Sequence, residues 1–476
     1  MSRLWTAEAM VAAMNGRPVG NLPDGVDGIS IDTRTLQKGD AFFAIKGDRF
    51  DGHDFASAAM AAGVGLMVVS EARLPALGRL NVPMIVVDDV LAALGALGAA
   101  ARARSSAQVI AVTGSVGKTT SKEMLRHVLT PCGKVHAARA SFNNHWGVPL
   151  TLARMPEDAD FGVFEIGMNH PGEIRPLVKL VRPHIAIITT VAGAHLGNFK
   201  GLSEIAAAKA EIMEGLADGG TVLLNRDNEK FSQLRKRASE LGVPQVRSFG
   251  AHKQASIRLM ACEIGPEHSD TTVRLNARDL TLRVGAPGRH VVDNALAVLG
   301  AAAFAGADVD TVAAAFADFA PDKGRGARHH LAIGEGSVTL IDESYNANPA
   351  SMRAALALLA DAPVEAGGRR IAVLGDMLEM GRYAEKVHAD LADAVIEAKA
   401  DLVGLAGPEM KHLEAALGER VPVVWRETAD ELAAWLQETL EAGDVVVVKS
   451  SLGLGFGRIV AALCGAYPVL KPECSG

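Results

Sequence analysis

Residues 108–120 read Gln108-Val-Ile-Ala-Val-Thr-Gly-Ser-Val-Gly-Lys-Thr-Thr120, an apolar run that leads into a glycine turn and a Gly-Lys-Thr triplet. A continuous apolar run is typical of a strand buried on both faces of a parallel sheet. The next residues, 121–129, have a helical pattern. Backbone N–H groups in such a turn, together with the helix N-terminus, form a binding site for phosphate. The stretch therefore predicts an α/β domain that binds a nucleotide.

The side chains of this turn have separate predicted tasks. Lys118 would hold the β- and γ-phosphates of ATP, and Thr119, with Thr120 as its neighbour, would offer a hydroxyl oxygen to Mg²⁺. The longer Walker pattern has glycine where this chain has Val112, so the loop is a shorter form. A chance Gly-Lys-Thr is the alternative, and the strand–helix context argues against it. The predicted ATP-binding residues of the loop are Gly114, Ser115, Val116, Gly117, Lys118, Thr119 and Thr120.

Apolar runs and helical segments alternate along most of the chain, which predicts an α/β fold. Its 476 residues correspond to about three domains at roughly 100–200 residues each. We expect a small mixed α/β domain over residues 1–105 and a central P-loop mononucleotide-binding domain with a parallel sheet over 106–327. A Rossmann-like domain would follow over 328–476. Alternating polar and apolar residues between 256 and 284 predict antiparallel strands at the edge of the central sheet.

Helices are also predicted outside the phosphate-loop region. They cover residues 53–62, residues 90–103 between the first two domains, and residues 293–305. The segment 90–103 is alanine-rich, and it is too short to span a bilayer.

Composition excludes several classes of protein. The formal net charge is −7, whereas proteins that bind nucleic acid or anionic membranes usually carry a basic surface. The four cysteines show no metal-binding spacing, which favours reduced thiols. The N-terminus lacks the apolar segment of a signal peptide. We therefore expect a cytoplasmic protein with no nucleic-acid or membrane partner.

Three residues downstream of the loop could complete a phosphate site. Glu165 and His195 each follow a predicted strand, and sites in such sheets lie beyond the carboxyl ends of the strands. A carboxylate there suits Mg²⁺, although a solvated strand-end charge is equally consistent with its position. A lone loop histidine is more often merely exposed. Lys209, on a predicted helix, has the pattern of an ordinary surface lysine.

The chain resembles the Mur ligase family over essentially its whole length, and within it the branch that adds D-alanyl-D-alanine. In the first domain the resemblance rests on Ile31-Asp-Thr-Arg and on residues 44–55. In the central domain it rests on residues 113–120, 141–149 and 164–174, on Ala194-His-Leu and on Ala208-Lys-Ala-Glu-Ile. In the last domain it rests on Ile341-Asp-Glu-Ser-Tyr-Asn-Ala-Asn-Pro and Val373-Leu-Gly-Asp-Met-Leu-Glu-Met-Gly.

The resemblance implies an ATP-dependent ligase that joins D-alanyl-D-alanine to a UDP-N-acetylmuramoyl-tripeptide through an acyl phosphate. It implies two Mg²⁺ ions held by Thr119, Glu165, His195 and Lys209, with Lys209 carbamylated. Lys118, His195 and Lys209 would be the catalytic residues. A monomer is expected, and closure of the third domain over the site would exclude water from the acyl phosphate.

The resemblance also implies contacts for the two larger substrates. Asn294 would reach the adenine, Arg325 would approach the nucleotide phosphates, and Tyr345 and Asn346 would line the ATP site from the third domain. The residues implied to bind the UDP-linked substrate or to line its closed site are Thr33, Arg34, Gly47, Asn143, Asn144 and Asn348.

Other functions remain open at this point. Another ligase of the superfamily, such as a folylpolyglutamate synthase or a tripeptide-forming ligase, would share the phosphate loop; the stretch 344–349 argues against both. A P-loop regulator, or a UDP-sugar-binding module with a degenerate ATPase, would ligate nothing. The joint presence of Lys118, Glu165, His195 and Lys209 argues against a pure binder.

Overall fold

The computed structural model describes residues 3–77 and 80–470. Three α/β units follow one another along the chain, each built on its own sheet of five, nine or seven strands. The predicted α/β class and three-domain organisation are confirmed. Within the described residues, no helix combines the length and apolarity needed to cross a membrane.

The first unit has a five-stranded sheet in the order β2-β7-β6-β5-β4, and a separate antiparallel pair, β1 and β3. β2 is antiparallel to β7, and the other neighbours in the sheet are parallel. Its elements are β1 (Trp5–Thr6), α1 (Ala7–Met14), β2 (Arg17–Val19), β3 (Gly25–Val26), β4 (Ile29–Ser30), β5 (Ala41–Phe43), α2 (Ala56–Ala61), β6 (Leu66–Ser70), α3 (Leu74–Leu77), β7 (Met84–Val87) and α4 (Val90–Arg104).

The second unit has a nine-stranded sheet in the order β16-β15-β14-β13-β12-β11-β8-β10-β9. The strands from β8 to β14 pair in parallel, and β14 to β16 are antiparallel as predicted. Its elements are β8 (Gln108–Thr113), α5 (Lys118–Leu129), β9 (Val135–Ala137), α6 (Gly147–Ala153), β10 (Phe161–Glu165), α7 (Ile174–Val181), β11 (Ile185–Ile188), α8 (Leu202–Ala210), β12 (Thr221–Asn225), α9 (Phe231–Glu240), β13 (Gln245–Gly250), β14 (Ile257–Ile264), β15 (Ser269–Leu275), β16 (Arg278–Val284), α10 (Arg289–Phe304) and α11 (Val309–Ala315).

The third unit has a seven-stranded sheet in the order β21-β20-β19-β22-β18-β17-β23, parallel from β21 to β18. Its elements are β17 (Ala327–Ile333), β18 (Gly336–Glu343), α12 (Pro349–Asp361), β19 (Arg370–Gly375), α13 (Ala384–Ala389), α14 (Ala392–Glu397), β20 (Leu402–Ala406), α15 (Met410–Leu417), β21 (Val423–Arg426), α16 (Ala429–Thr439), β22 (Val445–Lys449), α17 (Gly457–Ala466) and β23 (Val469–Leu470).

Helix α4 joins the first two units into one packed body. Asp89 caps its N-terminus by accepting hydrogen bonds from the N–H groups of Leu91 and Ala92. The apolar core of the first unit includes Leu150 and Ala153 of α6, which belong to the second. The helix predicted between the domains is confirmed, and it is part of a shared core.

The second unit is joined to the third by a short segment with two glycines, and not by a helix. Gly324 and Gly326 have positive φ angles of +77° and +104°, a region that favours glycine, and Arg325 lies between them. Gly326 N–H donates to Asp342 O, and β17 begins directly afterwards at Ala327.

Some predicted element bounds were wrong. The helix placed at 293–305 begins earlier, at Arg289, because Gly288 (φ +114°) starts it and Val291 and Val292 pack into the core. The helix placed at 53–62 opens as a 3-10 turn, Gly52–Phe55. β17 was missed because Arg328, His329 and His330 interrupt its apolar pattern.

Candidate active site

A cavity of about 570 Å³ lies between the loop after β8 and the third unit. Its lining comes from both sides. The second unit contributes residues 115–120, Ser141, Asn143, Glu165, 167–169, Thr189, Thr190, His195, Asn225, His290, Val291, Asp293 and Asn294, and beyond it come Pro321, Gly324, Arg325, Glu343, Tyr345, Asn346, Asn348, Ala350, Ser351, Ala354, Lys449 and Leu452.

The loop needs glycine at two positions. A Cβ on Gly117, where φ is +82°, would lie 2.4 Å from Asn294 Oδ1. A Cβ on Gly114 would lie 1.8 Å from Thr189 Oγ1. Ser115 fixes the turn to the end of the neighbouring strand, because its N–H donates to Thr190 O and its hydroxyl donates to Ala192 O, both at 2.9 Å. The backbone of the loop is therefore held in a fixed shape.

Lys118 lies at the start of α5, and its ammonium donates to Gly114 O at 2.8 Å. Burial lowers the pKa of Lys118; the charge of Glu165 raises it, and that of Arg325 lowers it. A buried cation with a single carbonyl partner is suited to an incoming anion. Val116, Thr119 and Thr120 line the same cavity.

Glu165 is the centre of a hydrogen-bond cluster at the end of β10. The parallel register of β10 with β8 pairs Glu165 with Val112, so its carboxylate lies beside the loop. Thr119 Oγ1 donates to Glu165 Oε2 at 2.8 Å. Ser141 Oγ and Asn143 Nδ2 donate to Oε1 at 3.0 and 2.7 Å. Carboxylate and hydroxyl oxygens are ligands that Mg²⁺ prefers, so the donor set fits that ion.

His195 has a left-handed backbone, with φ +55°, and lines the cavity. Its Nδ1 forms a short hydrogen bond with Glu379 of the third unit. Gly197 N–H donates to Glu379 O at 2.9 Å in the same contact. His195 thus lies where the second and third units meet.

Lys209, near the end of α8, is only 2% exposed and does not line the cavity. Burial lowers its pKa well below the ordinary value for lysine, and the positive charge of Lys118 lowers it further. Within residues 3–77 and 80–470, no three His, Cys, Asp or Glu side chains are grouped to hold a metal ion. Glu165 and His195 would need a further anionic ligand to form such a group.

The third unit covers the loop with the segment that follows β18. The Arg325 guanidinium lies over the Tyr345 ring, 4.1 Å from its centroid. Asn348 caps α12, and its Nδ2 lies 3.5 Å from Ser115 O of the phosphate loop. Asn346 lines the cavity beside Tyr345. On the opposite wall, Asn294 is 8% exposed and lies against Gly117.

The structure does not place every predicted substrate residue in this cavity. Thr33 and the exposed Arg34 do not line it, and Arg34 pairs with Asp32. Asn144 is exposed, and its Oδ1 accepts hydrogen bonds from the N–H groups of Trp146 and Gly147 at the start of α6. Gly47 packs against the Trp146 ring, which brings the first unit next to the segment that carries Asn143.

Sequence reasoning missed the pair Glu343 and Lys449. Both line the cavity, and Lys449 Nζ donates to Glu343 Oε2 at 3.1 Å. The two residues end neighbouring parallel strands, β18 and β22. Strand-end position, the signal that identified Glu165, could have identified both.

Models of three family domains match the chain in order. They are the Mur ligase family catalytic domain at residues 25–102, the Mur ligase middle domain at 112–302, and the Mur ligase glutamate ligase domain at 327–452. A UDP-N-acetylmuramoyl-tripeptide–D-alanyl-D-alanine ligase of Escherichia coli (strain K12) is 34% identical over 92% of this chain and 94% of its own. The ligase of the same name from Bacillus subtilis (strain 168) is 33% identical over 92% and 93%.

A solved structure agrees with these sequence matches. Crystal structure I of MurF from Acinetobacter baumannii has a TM-score of 0.84 and 29% identity, and the match covers 97% of this chain and 99% of that one. With matches to all three domains and relatives above 30% identity along nearly its full length, the chain belongs to the Mur ligase family.

Proposed function

We propose that this chain is an ATP-dependent ligase that joins D-alanyl-D-alanine to the peptide carboxylate of UDP-N-acetylmuramoyl-tripeptide. The observation that carries the proposal is the cavity in which the phosphate loop faces Arg325, Tyr345 and Asn346. The relatives whose names state this activity cover more than nine-tenths of the chain. Residues 1–105 would act as the UDP-sugar-binding domain, residues 106–327 as the ATP-binding domain, and residues 328–476 as the C-terminal Rossmann-like ligase domain.

The reaction has two steps. The peptide carboxylate attacks the γ-phosphorus of ATP, which gives an acyl phosphate and ADP. The amine of D-alanyl-D-alanine then attacks the acyl carbon, phosphate leaves, and the amine loses a proton. Phosphoryl transfer needs chiefly positioning and neutralised charge. The buried ammonium of Lys118 and the N–H groups of residues 114–120 would supply both.

Mg²⁺, when bound, would neutralise phosphate charge. Thr119 and Glu165 would hold it, with Ser141 and Asn143 orienting the Glu165 carboxylate. His195 and a carbamylated Lys209 would complete the ligand set for two ions. Carbamylation converts a lysine into an anion, and the lowered pKa of Lys209 favours the neutral amine that reacts with carbon dioxide.

The remaining residues would hold the substrates. Asn294 lines the cavity next to Gly117 and would reach the adenine, as the family resemblance implies, and Arg325 would approach the phosphates. The UDP-linked substrate would extend from the cavity towards the first domain. Along that path it would contact Asn143, Asn144, Gly47, Thr33 and Arg34. Asn348 would close the site over the loop. The chain would act as a monomer, and the nucleotide-linked substrate suits the cytoplasm.

The test is phosphate release from ATP with UDP-N-acetylmuramoyl-tripeptide, with and without D-alanyl-D-alanine, followed by the mass of the product. Release that needs both substrates, with a UDP-muramoyl pentapeptide as product, is the expected result. Release with neither substrate would indicate a nucleotide-hydrolysing regulator. Addition of a single residue, or of glutamate to a folate, would indicate another ligase of the superfamily.

A further inference from the structure

A second cavity, of about 200 Å³, adjoins the phosphate loop on the side of the third unit. Its volume is below the roughly 300–1,000 Å³ of cavities for drug-sized ligands, so it suits a smaller molecule. The two cavities adjoin each other at the loop, because they share Ser115, Lys118, His195, Asn346, Asn348 and Leu452.

The charges in this second cavity have opposite signs. The Lys118 ammonium lies on the phosphate-loop side, and the Glu379 carboxylate belongs to the third unit. The Glu379 side chain is 52% exposed, so its His195 contact leaves it accessible to a ligand. His195 lines both cavities and contacts Glu379, so a cation held by Glu379 would lie where the two cavities join.

The rest of the wall combines polar side chains, Ser115, Asn346, Asn348 and Ser451, with two exposed leucines. Leu378 and Leu452 are 44% and 60% exposed, unusually high values for leucine beside a cavity. Ala194, Ala347 and Met380 also line this cavity but are at most 5% exposed, so the apolar surface is supplied chiefly by the two leucines. Exposed apolar surface in a concave site indicates contact with apolar groups of a ligand. A small molecule with one cationic group and methyl side chains matches this combination.

We propose that the second cavity binds the amine substrate and that Glu379 is its ammonium-binding residue. The inference rests on the proposed function and adds to it the residues that select the amine. A cation is repelled by Lys118 and attracted by Glu379, so the ammonium faces Glu379 at the junction of the cavities. Leu378 and Leu452 then contact the methyl groups of the dipeptide.

The experiment compares Glu379→Gln with Glu385→Gln. Glu385 is an exposed carboxylate six positions further on that lines neither cavity. With ATP and the UDP-substrate saturating, we expect Glu379→Gln to raise the KM for D-alanyl-D-alanine about tenfold, as for loss of one charge-assisted hydrogen bond. The KM for ATP should stay within about twofold, and Glu385→Gln should resemble the wild type.

A purely structural role for Glu379 predicts another result. If it only joins the second and third units through His195, Glu379→Gln lowers kcat and raises the KM for ATP, while the KM for the dipeptide is unchanged. That result would overturn the proposal. Leu378→Asn, which alters the wall of the second cavity alone, gives an independent check. It should also raise the KM for the dipeptide and not that for ATP.

The two proposals fail in distinguishable ways. If the wild type releases no phosphate in response to D-alanyl-D-alanine, the proposed function fails. If the wild type forms the pentapeptide, and both Glu379→Gln and Leu378→Asn keep its KM for the dipeptide, only the assignment of the second cavity fails.

Discussion

Lys209 in the second unit and Lys449 in the third are both almost inaccessible, at 2% and 1% exposed, but their surroundings differ. Lys449 Nζ donates to Glu343 Oε2 at 3.1 Å and to Asn346 O at 2.9 Å. No ion pair of Lys209 is found in the described part of the chain, and burial lowers its pKa. Burying a charge is favourable only when it is paired. Lys449 is thus buried together with a carboxylate partner, whereas the burial of Lys209 without such a partner favours its neutral amine.

The largest expected effect comes from making Lys209 a permanent cation. Lys209→Arg keeps a positive charge and cannot be carbamylated, so kcat/KM should fall about 1000-fold, as for loss of a group that stabilises the transition state. Lys209→Glu, which supplies a carboxylate, should retain more activity than Lys209→Arg. Phosphate release with both substrates is the measurement. Wild-type activity of the Lys209→Arg enzyme would show that the reaction does not need Lys209 to lose its positive charge.

Lys449→Met tests the other side of the comparison. It leaves the Glu343 carboxylate, 13% exposed, without its cation, so the stability of the third unit should fall by about 3–5 kcal/mol. Thermal unfolding followed by calorimetry measures the loss. Adding Glu343→Gln to Lys449→Met should restore part of it, since no unpaired charge then remains. Equal stability of the single and double variants would contradict the pairing argument.

Lys122 is a third buried lysine, and like Lys449 it is paired with a carboxylate. Its contacts lie close to the segment that holds Glu165. Its Nζ donates to Ala138 O at 2.7 Å and pairs with Glu123 Oε1 at 2.6 Å, just before the segment with Ser141 and Asn143. Lys122→Met should raise the half-saturating Mg²⁺ concentration by less than about tenfold, because Lys122 holds the backbone before Ser141 and does not contact a proposed metal ligand itself. Lys122→Arg serves as the control, and an unchanged Mg²⁺ requirement in Lys122→Met would show a purely structural role.

The smallest effect is expected at an exposed pair. Lys134 contacts Asp158 at 2.5 Å, but their side chains are 69% and 67% exposed. Water and salt weaken such pairs, so Lys134→Met should leave activity unchanged and shift Tm by less than about 2 °C. A larger shift of Tm in the same calorimetric assay would mean that the exposed fraction of a lysine does not predict how much its ion pair contributes to stability.

The phosphate loop and Glu165 could be predicted because their chemistry is local. A buried strand, a glycine turn and a strand end can each be recognised from a pattern of a few residues. The parallel register of β8 and β10 then brings the loop and Glu165 together. Lys209 could not be found in this way, because an Ala-Ala-Ala-Lys helix gives no sign that the lysine is buried. Only the family resemblance identified it.

The contacts between units were beyond the sequence for another reason. His195 and Glu379, which join the second and third units, are 184 positions apart. Such a pair forms only when the two sheets have folded and packed against each other. The residues that flank each partner do not indicate which distant residue it will contact. The antiparallel edge β14–β16 was predicted because alternation is a local signal, whereas β17, with three polar residues in succession, was not.

The two glycines on either side of Arg325 have a mechanical consequence. The first and second units share a core, whereas the chain enters the third unit through Gly324 and Gly326, whose positive φ angles favour glycine. Arg325 lies between these two glycines, and its guanidinium lies over the ring of Tyr345 in the third unit. Because Arg325 is held between these two glycines, they set both the path of the chain into β17 and the position of the guanidinium beside the cavity, so a side chain at either position would displace the two together.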